Sequence, residues 1–312
     1  MALLIDIGHG GWIPAEDVRA RVLAHAPGAD VRVRTDPGAL EQITMLAVSR
    51  LDADWPGKLA NLKLVQKLGA GVETIVAHPA LPPHVRVARL KPVAPAREIA
   101  EYVLAHILSA QRHLPHYRAE QAARRWSPVE PRLAAETEVA VLGLGHIGAC
   151  AAQVLRDAGF RVTGWARSPK RIDGVACRHG AEALPELLEM ADYICAILPS
   201  TVATRELFGA DLLARMKPGS TLLNAGRGDL IDQAALVAAL DAGRPGAAVL
   251  DVTAPEPLPQ DSPLWTHPAV TITPHVSGWH LGEDAFADVA ENYLRLQSGA
   301  PLLHEVDRVR GY

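Results

Sequence analysis

Three glycines are the residues whose type and spacing point most directly to chemistry. Gly143, Gly145 and Gly148 stand as Gly-x-Gly-x-x-Gly, directly after the apolar run Val139-Ala-Val-Leu142 and directly before a helical pattern over 149–158. A strand turning sharply into a helix needs a residue without a Cβ at the turn, and Gly143 occupies that place. Gly145 lets a pyrophosphate approach the backbone, and Gly148 lets the helix pack close to the strand. The unbonded N–H groups and partial positive charge of the helix N-terminus would hold the phosphates, with His146 and Ile147 at the same turn. A glycine-rich turn by itself arises often by chance; the strand before it and the helix after it make this one a dinucleotide site.

The next strand-like run, 161–165, ends in Ala166-Arg167-Ser168. A site for NAD usually places Asp or Glu about 20 residues past the glycines to bind the ribose 2′-OH. Ala166 stands there instead, and Arg167 and Ser168 beside it can bind a 2′-phosphate that a carboxylate would repel. NADP(H) is therefore the expected cofactor, with NAD(H) the alternative. Three further polar loops follow predicted strands: Asn224-Ala225-Gly226-Arg227-Gly228, Asp251 through Glu256 to Pro259, and Thr273-Pro274-His275. Ligands of open α/β sheets bind beyond the carboxyl ends of the strands, so these loops are expected at one cleft.

The elements that must position these loops alternate nearly throughout. Strands are predicted at 3–7, 31–34, 45–48, 64–67 and 85–88, with a helix at 15–25. A long helix over 97–118 carries apolar residues at Ile99, Val103, Ile107 and Leu108. Strands then follow at 139–142, 161–165, 193–197, 221–224, 248–251 and 270–273, and a last helix spans 282–298. The expected fold is α/β, with two doubly wound parallel-sheet domains: a Rossmann-type nucleotide domain and a smaller flavodoxin-like substrate domain. The segment Leu302-Leu-His-Glu-Val306 is expected to return to the first domain, giving a discontinuous substrate domain, 1–97 with 284–312, around a dinucleotide-binding domain, 98–283.

The 312 residues are 49% hydrophobic but only 4% aromatic, so the cores should be built from Ala, Val and Leu. A net charge of −4 argues against a general nucleic-acid or anionic-membrane binder. Cys150, Cys177 and Cys195 are widely spaced and suit reduced thiols in a reducing compartment. The start reads as a strand, without the basic region of a signal peptide, and no apolar run is long enough to span a membrane. A cytoplasmic location is expected. No metal site is expected: His113 and His116 have helix-face spacing, but Pro115 lies between them and no partner ligand accompanies them.

Taken together, Gly143-Leu-Gly-His-Ile-Gly148, Leu198-Pro199-Ser-Thr-Val-Ala-Thr204, Asn224-Ala-Gly-Arg227-Gly228, Leu250-Asp251-Val252 with Glu256-Pro257, and Pro274-His275 resemble the D-isomer-specific 2-hydroxyacid dehydrogenases over essentially the full length. Within that family the chain is most similar to the glyoxylate/hydroxypyruvate reductase A branch. That likeness rests on Leu68-Gly-Ala-Gly-Val72, Trp165-Ala-Arg-Ser168, Pro257-Leu-Pro-Gln-Asp-Ser-Pro-Leu-Trp265 and Val306-Asp-Arg-Val-Arg-Gly-Tyr312. The resemblance implies reduction of small 2-oxo acids in a cleft between two domains, and a homodimer.

It also implies roles that the side chains can perform. Arg227 would hold the substrate's carboxylate and carbonyl oxygen, because its planar donors match that geometry. His275 would be the acid–base group, giving its proton to the developing alkoxide as hydride reaches the keto carbon; histidine's ordinary pKa of about 6.5 suits both directions. Glu256 would accept a hydrogen bond from the other ring nitrogen, favouring the protonated imidazole and fixing its orientation. Asp251 would bond the nicotinamide end, and Leu198, Pro199, Thr204, Ala225 and Gly226 would run beside the cofactor. Backbone N–H groups at Ala70 and Gly71 would bind the substrate carboxylate, and Trp279 would either wall the pocket or only pack against the hinge. Arg50 follows another strand end, from which it could reach the cleft, but reads rather as a solvent-facing arginine.

D-lactate-type, phosphoglycerate-type and phosphite dehydrogenases share these features. The phosphoglycerate type commonly carries an added regulatory domain, for which no room is expected after residue 312. Formate dehydrogenases pair the histidine with glutamine, whereas this chain has Glu256. A dinucleotide-sensing, corepressor-like scaffold is the alternative of a different class; such proteins usually carry disordered extensions, and none is evident here.

Overall fold

The computed structural model describes residues 1–8 and 13–309. The chain divides into two units, Met1–Ala94 with His280–Tyr312, and Pro95–Trp279. The last three residues of the Val306–Tyr312 ending lie outside the described residues.

The first unit contains β1 (Ala2–Asp6), α1 (Ala15–His25), β2 (Val31–Val33), β3 (Ile43–Val48), α2 (Asp54–Lys58), β4 (Leu64–Lys67), α3 (Glu73–Val76) and β5 (Arg86–Ala88). Its five strands are all parallel, in the order β2-β1-β3-β4-β5. Every residue of β1 and β3 is buried, as expected where both faces of a parallel sheet are covered. In α1, acidic Glu16 and Asp17 stand at the positive end and His25 at the negative end of the helix dipole.

The second unit opens with α4 (Val93–Gln111), which starts just before its boundary, and α5 (Leu114–Ala122). The predicted single helix over 97–118 is thus two helices. It begins earlier because Pro95 is tolerated in a first turn, and it breaks where His113 takes a left-handed backbone (φ 56°) ahead of Pro115. The sheet follows as β6 (Glu138–Leu142), α6 (His146–Asp157), β7 (Arg161–Ala166), β8 (Ala176–His179), α7 (Ala183–Met190), β9 (Tyr193–Ala196), α8 (Ala210–Ala214), β10 (Thr221–Asn224), α9 (Gln233–Asp241), β11 (Ala247–Leu250) and β12 (Val270–Ile272). These seven parallel strands lie in the order β12-β11-β10-β9-β6-β7-β8. Strand order reverses between β6 and β9, so the Gly143 loop leaves the sheet at its switch point. The sequence predicts no strand at β8 because Ala176-Cys-Arg-His179 has no apolar run and is largely exposed; pairing to β7 makes it a strand.

The last helix, α10 (Glu283–Ser298), belongs to the first unit. It buries Phe286, Val289 and Tyr293 against the β1 side of that sheet. Its fully buried Asn292 donates to Gln66 Oε1 (2.7 Å) and accepts from the Leu303 N–H (2.7 Å), fastening the C-terminal segment to β4. Val306 N–H then bonds the Val87 carbonyl.

Candidate active site

The loops at the carboxyl ends of the second unit's strands press together because glycines remove the atoms that would keep them apart. Gly143 has φ +102°, and a Cβ there would overlap the Ile197 carbonyl. A Cβ on Gly148 would strike the Gly143 carbonyl, so α6 could not sit so close to β6. A Cβ on Gly226 would lie 2.7 Å from the Leu198 carbonyl oxygen, and one on Gly228 would overlap Thr253. The loops after β9, β10 and β11 are thereby brought to one place.

Gly145 differs from these. It caps α6, it is exposed, and a Cβ there would meet nothing within 4 Å. Open space in front of the amino end of a twelve-residue helix, with exposed His146 and half-buried Ile147 beside it, fits the pyrophosphate of a dinucleotide. Arg167 and Ser168 are exposed directly after β7. Thr204 clasps the loop after β9 by donating to the Pro199 carbonyl (2.6 Å) and accepting from Thr201 N–H (2.8 Å). Leu198 and Ala225 are buried there.

Asn224, 1% exposed, closes the next loop. Its amide donates to the Arg227 carbonyl (2.8 Å) and its oxygen accepts from Gly226 N–H (3.1 Å), which sets the backbone from which half-buried Arg227 projects. His275 Nδ1 lies 2.9 Å from Glu256 Oε2. An ionised carboxylate only accepts, so the shared proton belongs on Nδ1 and Nε2 is left for a reacting molecule. Burial works to raise the Glu256 carboxyl pKa, but the His275 ring, the Thr253 N–H and the Arg227 guanidinium together hold it below its ordinary value. Both side chains are substantially exposed, so the pair contributes little to stability, and its consequence is the orientation of the ring.

Asp251, 2% exposed, sits just past β11 and grips the His275 loop. Its carboxylate accepts from Val276 N–H (2.9 Å), Ser277 N–H (3.0 Å) and the Thr273 hydroxyl (2.6 Å), and its carbonyl accepts from His275 N–H (2.8 Å). Thr273 and its neighbour Tyr102 received no role from the sequence. The available signal was the place of Thr273 beside His275 and a Tyr102/His106 pair one turn apart on a helix read only for its apolar residues.

Arg227, Asp251, Glu256 and His275 thus share one edge of the second unit, and Trp279, half-exposed, belongs to that unit with its N–H bonded to Glu98 (2.7 Å). Ala70 and Gly71 belong to the first unit, partly buried in the loop between β4 and α3; that loop is tied at Leu68 to Val48 and at Gly69 to Leu90. Arg50 is exposed after β3. Among the described residues no three His, Cys, Asp or Glu side chains are grouped to hold a metal ion, and no helix is long and apolar enough to cross a membrane.

Residues 104–277 match the family model for the D-isomer specific 2-hydroxyacid dehydrogenase, NAD binding domain. The glyoxylate/hydroxypyruvate reductase A of Serratia proteamaculans (strain 568) is 36% identical over 303 residues, 96% of each chain. A D-isomer specific 2-hydroxyacid dehydrogenase from Xanthobacter autotrophicus Py2, crystallised with NADPH and MES, superposes with a TM-score of 0.94 at 39% identity, covering 100% of this chain and 99% of that one. The NADPH-dependent glyoxylate/hydroxypyruvate reductase of Sinorhizobium meliloti, crystallised with NADP and sulfate, gives 0.89 at 32% identity, with 100% and 99% covered.

Proposed function

The chain belongs to the D-isomer-specific 2-hydroxyacid dehydrogenase family, and we propose that it reduces small 2-oxo acids, glyoxylate and hydroxypyruvate first, to 2-hydroxy acids with NADPH as preferred reductant. The observation that carries this reading is the Glu256–His275 pair, with the Arg227 guanidinium acting on the same carboxylate, at the strand-end edge of a nucleotide-binding unit. The names of the Serratia and Sinorhizobium relatives, both glyoxylate/hydroxypyruvate reductases, support the substrate class, and NADPH in the Xanthobacter and NADP in the Sinorhizobium crystals support the cofactor.

When bound, NADPH would supply the hydride that reduces the substrate's carbonyl carbon. The protein's part is to hold and protonate. The Arg227 fork binds the carboxylate and polarises the carbonyl oxygen, while Trp279 covers one side. His275 Nε2 gives its proton to that oxygen as negative charge develops, and Glu256, still ionised at neutral pH, holds the resulting ring in place. Gly143, Gly145, His146, Ile147 and Gly148 hold the pyrophosphate, and Arg167 with Ser168 holds the 2′-phosphate. Leu198, Pro199, Thr204, Ala225 and Gly226 flank the dinucleotide, with Asp251 at its nicotinamide end. A cytoplasmic homodimer completes the reading.

The test is oxidation of NADPH and NADH, in parallel, with glyoxylate, hydroxypyruvate, pyruvate and phenylpyruvate. Fast NADPH oxidation with the first two is expected, and Arg167→Asp should move the preference toward NADH. Turnover with NADH alone, or an unchanged preference in the variant, removes the 2′-phosphate contact. Tight dinucleotide binding without turnover would make the protein a sensing scaffold.

A further inference from the structure

Behind the Glu256–His275 pair runs a polar chain that the steps above leave unused. Thr273 Oγ1 lies 2.6 Å from Asp251 Oδ1 and 2.8 Å from the Tyr102 hydroxyl of α4. A hydroxyl has one proton and an ionised carboxylate only accepts, so Thr273 donates to Asp251 and must accept from Tyr102. Donation therefore runs in one direction, Tyr102 to Thr273 to Asp251. Burial, reinforced by the charge of Asp251 and opposed by the Thr273 bond, pushes the Tyr102 phenol up to about 12, so the phenol keeps its proton at any working pH. The His106 ring, one turn along α4, packs 4.5 Å from the Tyr102 ring and limits where the phenol can point.

At the other end of the chain, Asp251 binds the three successive N–H groups of residues 275–277. His275 has φ +55°, a left-handed backbone that a residue with a Cβ keeps only when its surroundings impose it. No lysine or arginine pairs with Asp251 among the described residues, so these donors are what hold its carboxylate in one rotamer.

We infer that Tyr102 and Thr273 are positioning residues for His275: they hold Asp251 in the orientation that keeps residues 275–277 in the turn aiming the imidazole. The inference rests on the acid role of His275 proposed above. Nothing in the local pattern joins Tyr102 to the site, since 171 residues separate it from Thr273.

Four variants test it: Tyr102→Phe, Thr273→Val, Thr273→Ser and the double Tyr102→Phe/Thr273→Val. With NADPH and glyoxylate, Tyr102→Phe and Thr273→Val should each lower kcat roughly ten- to hundredfold, as small misplacements of a reacting group do, while KM and the Kd for NADPH hold. Thr273→Ser, which keeps the hydroxyl, should recover most of the rate. The double variant should be little worse than the more damaging single, because both cut one chain. In the cofactor-free protein, amide hydrogen exchange at 275–277 should quicken in Tyr102→Phe and Thr273→Val alike. Additive losses, exchange unchanged at those amides, or a raised NADPH Kd with kcat intact would each overturn the positioning role. Full turnover in Tyr102→Phe alongside an inactive His275→Ala removes only that role, whereas full turnover in His275→Ala removes the acid role on which it rests.

Discussion

Two aspartates at opposite edges of the same seven-stranded sheet face the same physical problem and meet it differently. Asp192 stands just before β9, and its carboxylate takes Arg132 (2.9 Å), Lys217 (2.6 Å) and the Glu138 N–H (2.9 Å). Burial works to raise its pKa, but these partners outweigh burial and hold it below the ordinary value. Its backbone also bonds β6 and β10, through the Glu138 carbonyl and the Thr221 N–H. Asp251 stands just past β11, more deeply buried, and among the described residues is held by N–H and O–H donors alone. A buried carboxylate loses hydration that must be replaced. At the amino edge two cations replace it and the result is a staple. At the carboxyl edge the loop that carries His275 replaces it, so the cost of burying the charge is tied to the geometry of the proposed acid.

Three substitutions test that contrast. The largest effect is expected from His275→Ala, which should lower kcat by about 10²–10⁴-fold if its proton transfer is lost; near-normal rates across the pH range would leave the carboxyl edge without its acid. Next, Asp251→Asn places an amide N–H₂ against Ser277 N–H or against the donors from Val276 and Thr273. At least one buried hydrogen bond is then lost, with an effect of about 1–3 kcal/mol, and kcat should drop with the melting temperature. A variant with normal kcat would make Asp251 a second staple. The smallest effect is that of Asp192→Asn: about 1 kcal/mol of stability, since Lys217 and Arg132 remain partly in water, and no change in kcat. Because the folded Asp192 pKa is depressed, its contribution is complete above the ordinary carboxylate pKa of about 3.9 and disappears as pH falls through the lower folded value. The wild-type melting temperature should therefore fall more steeply below that pH than the variant's. Equal slopes would mean that the cations do not stabilise the carboxylate.

Local pattern carried much of the architecture. The helix Ala15–His25 and the strands Leu64–Lys67 and Thr221–Asn224 occupy the predicted residues, and other strand ends move by one or two positions. Prediction failed where local signals were weak. β8 has no apolar alternation and exists through its neighbour, and the break at His113 has no glycine to mark it. The glycine turn was legible because all three glycines lie between one strand and one helix, although the Ile197 carbonyl that Gly143 must clear belongs to a distant segment. Glu256 and His275 were reachable as members of a motif, and the resemblance implied the bond between them, but which ring nitrogen faces the carboxylate, Nδ1 at 2.9 Å, was not.

By itself the sequence determined the alternation of strands and helices, the dinucleotide turn and the family, because periodicity, glycine placement and motif spacing are local properties of the chain. Only the tertiary structure decided which strand ends adjoin. The order β12-β11-β10 places Asp251 next to the His275 loop, and packing of α4 brings Tyr102 to Thr273. The physical reason is that a buried carboxylate takes its donors from whatever the sheet order sets beside it, and sheet order depends on interactions between segments far apart in the chain.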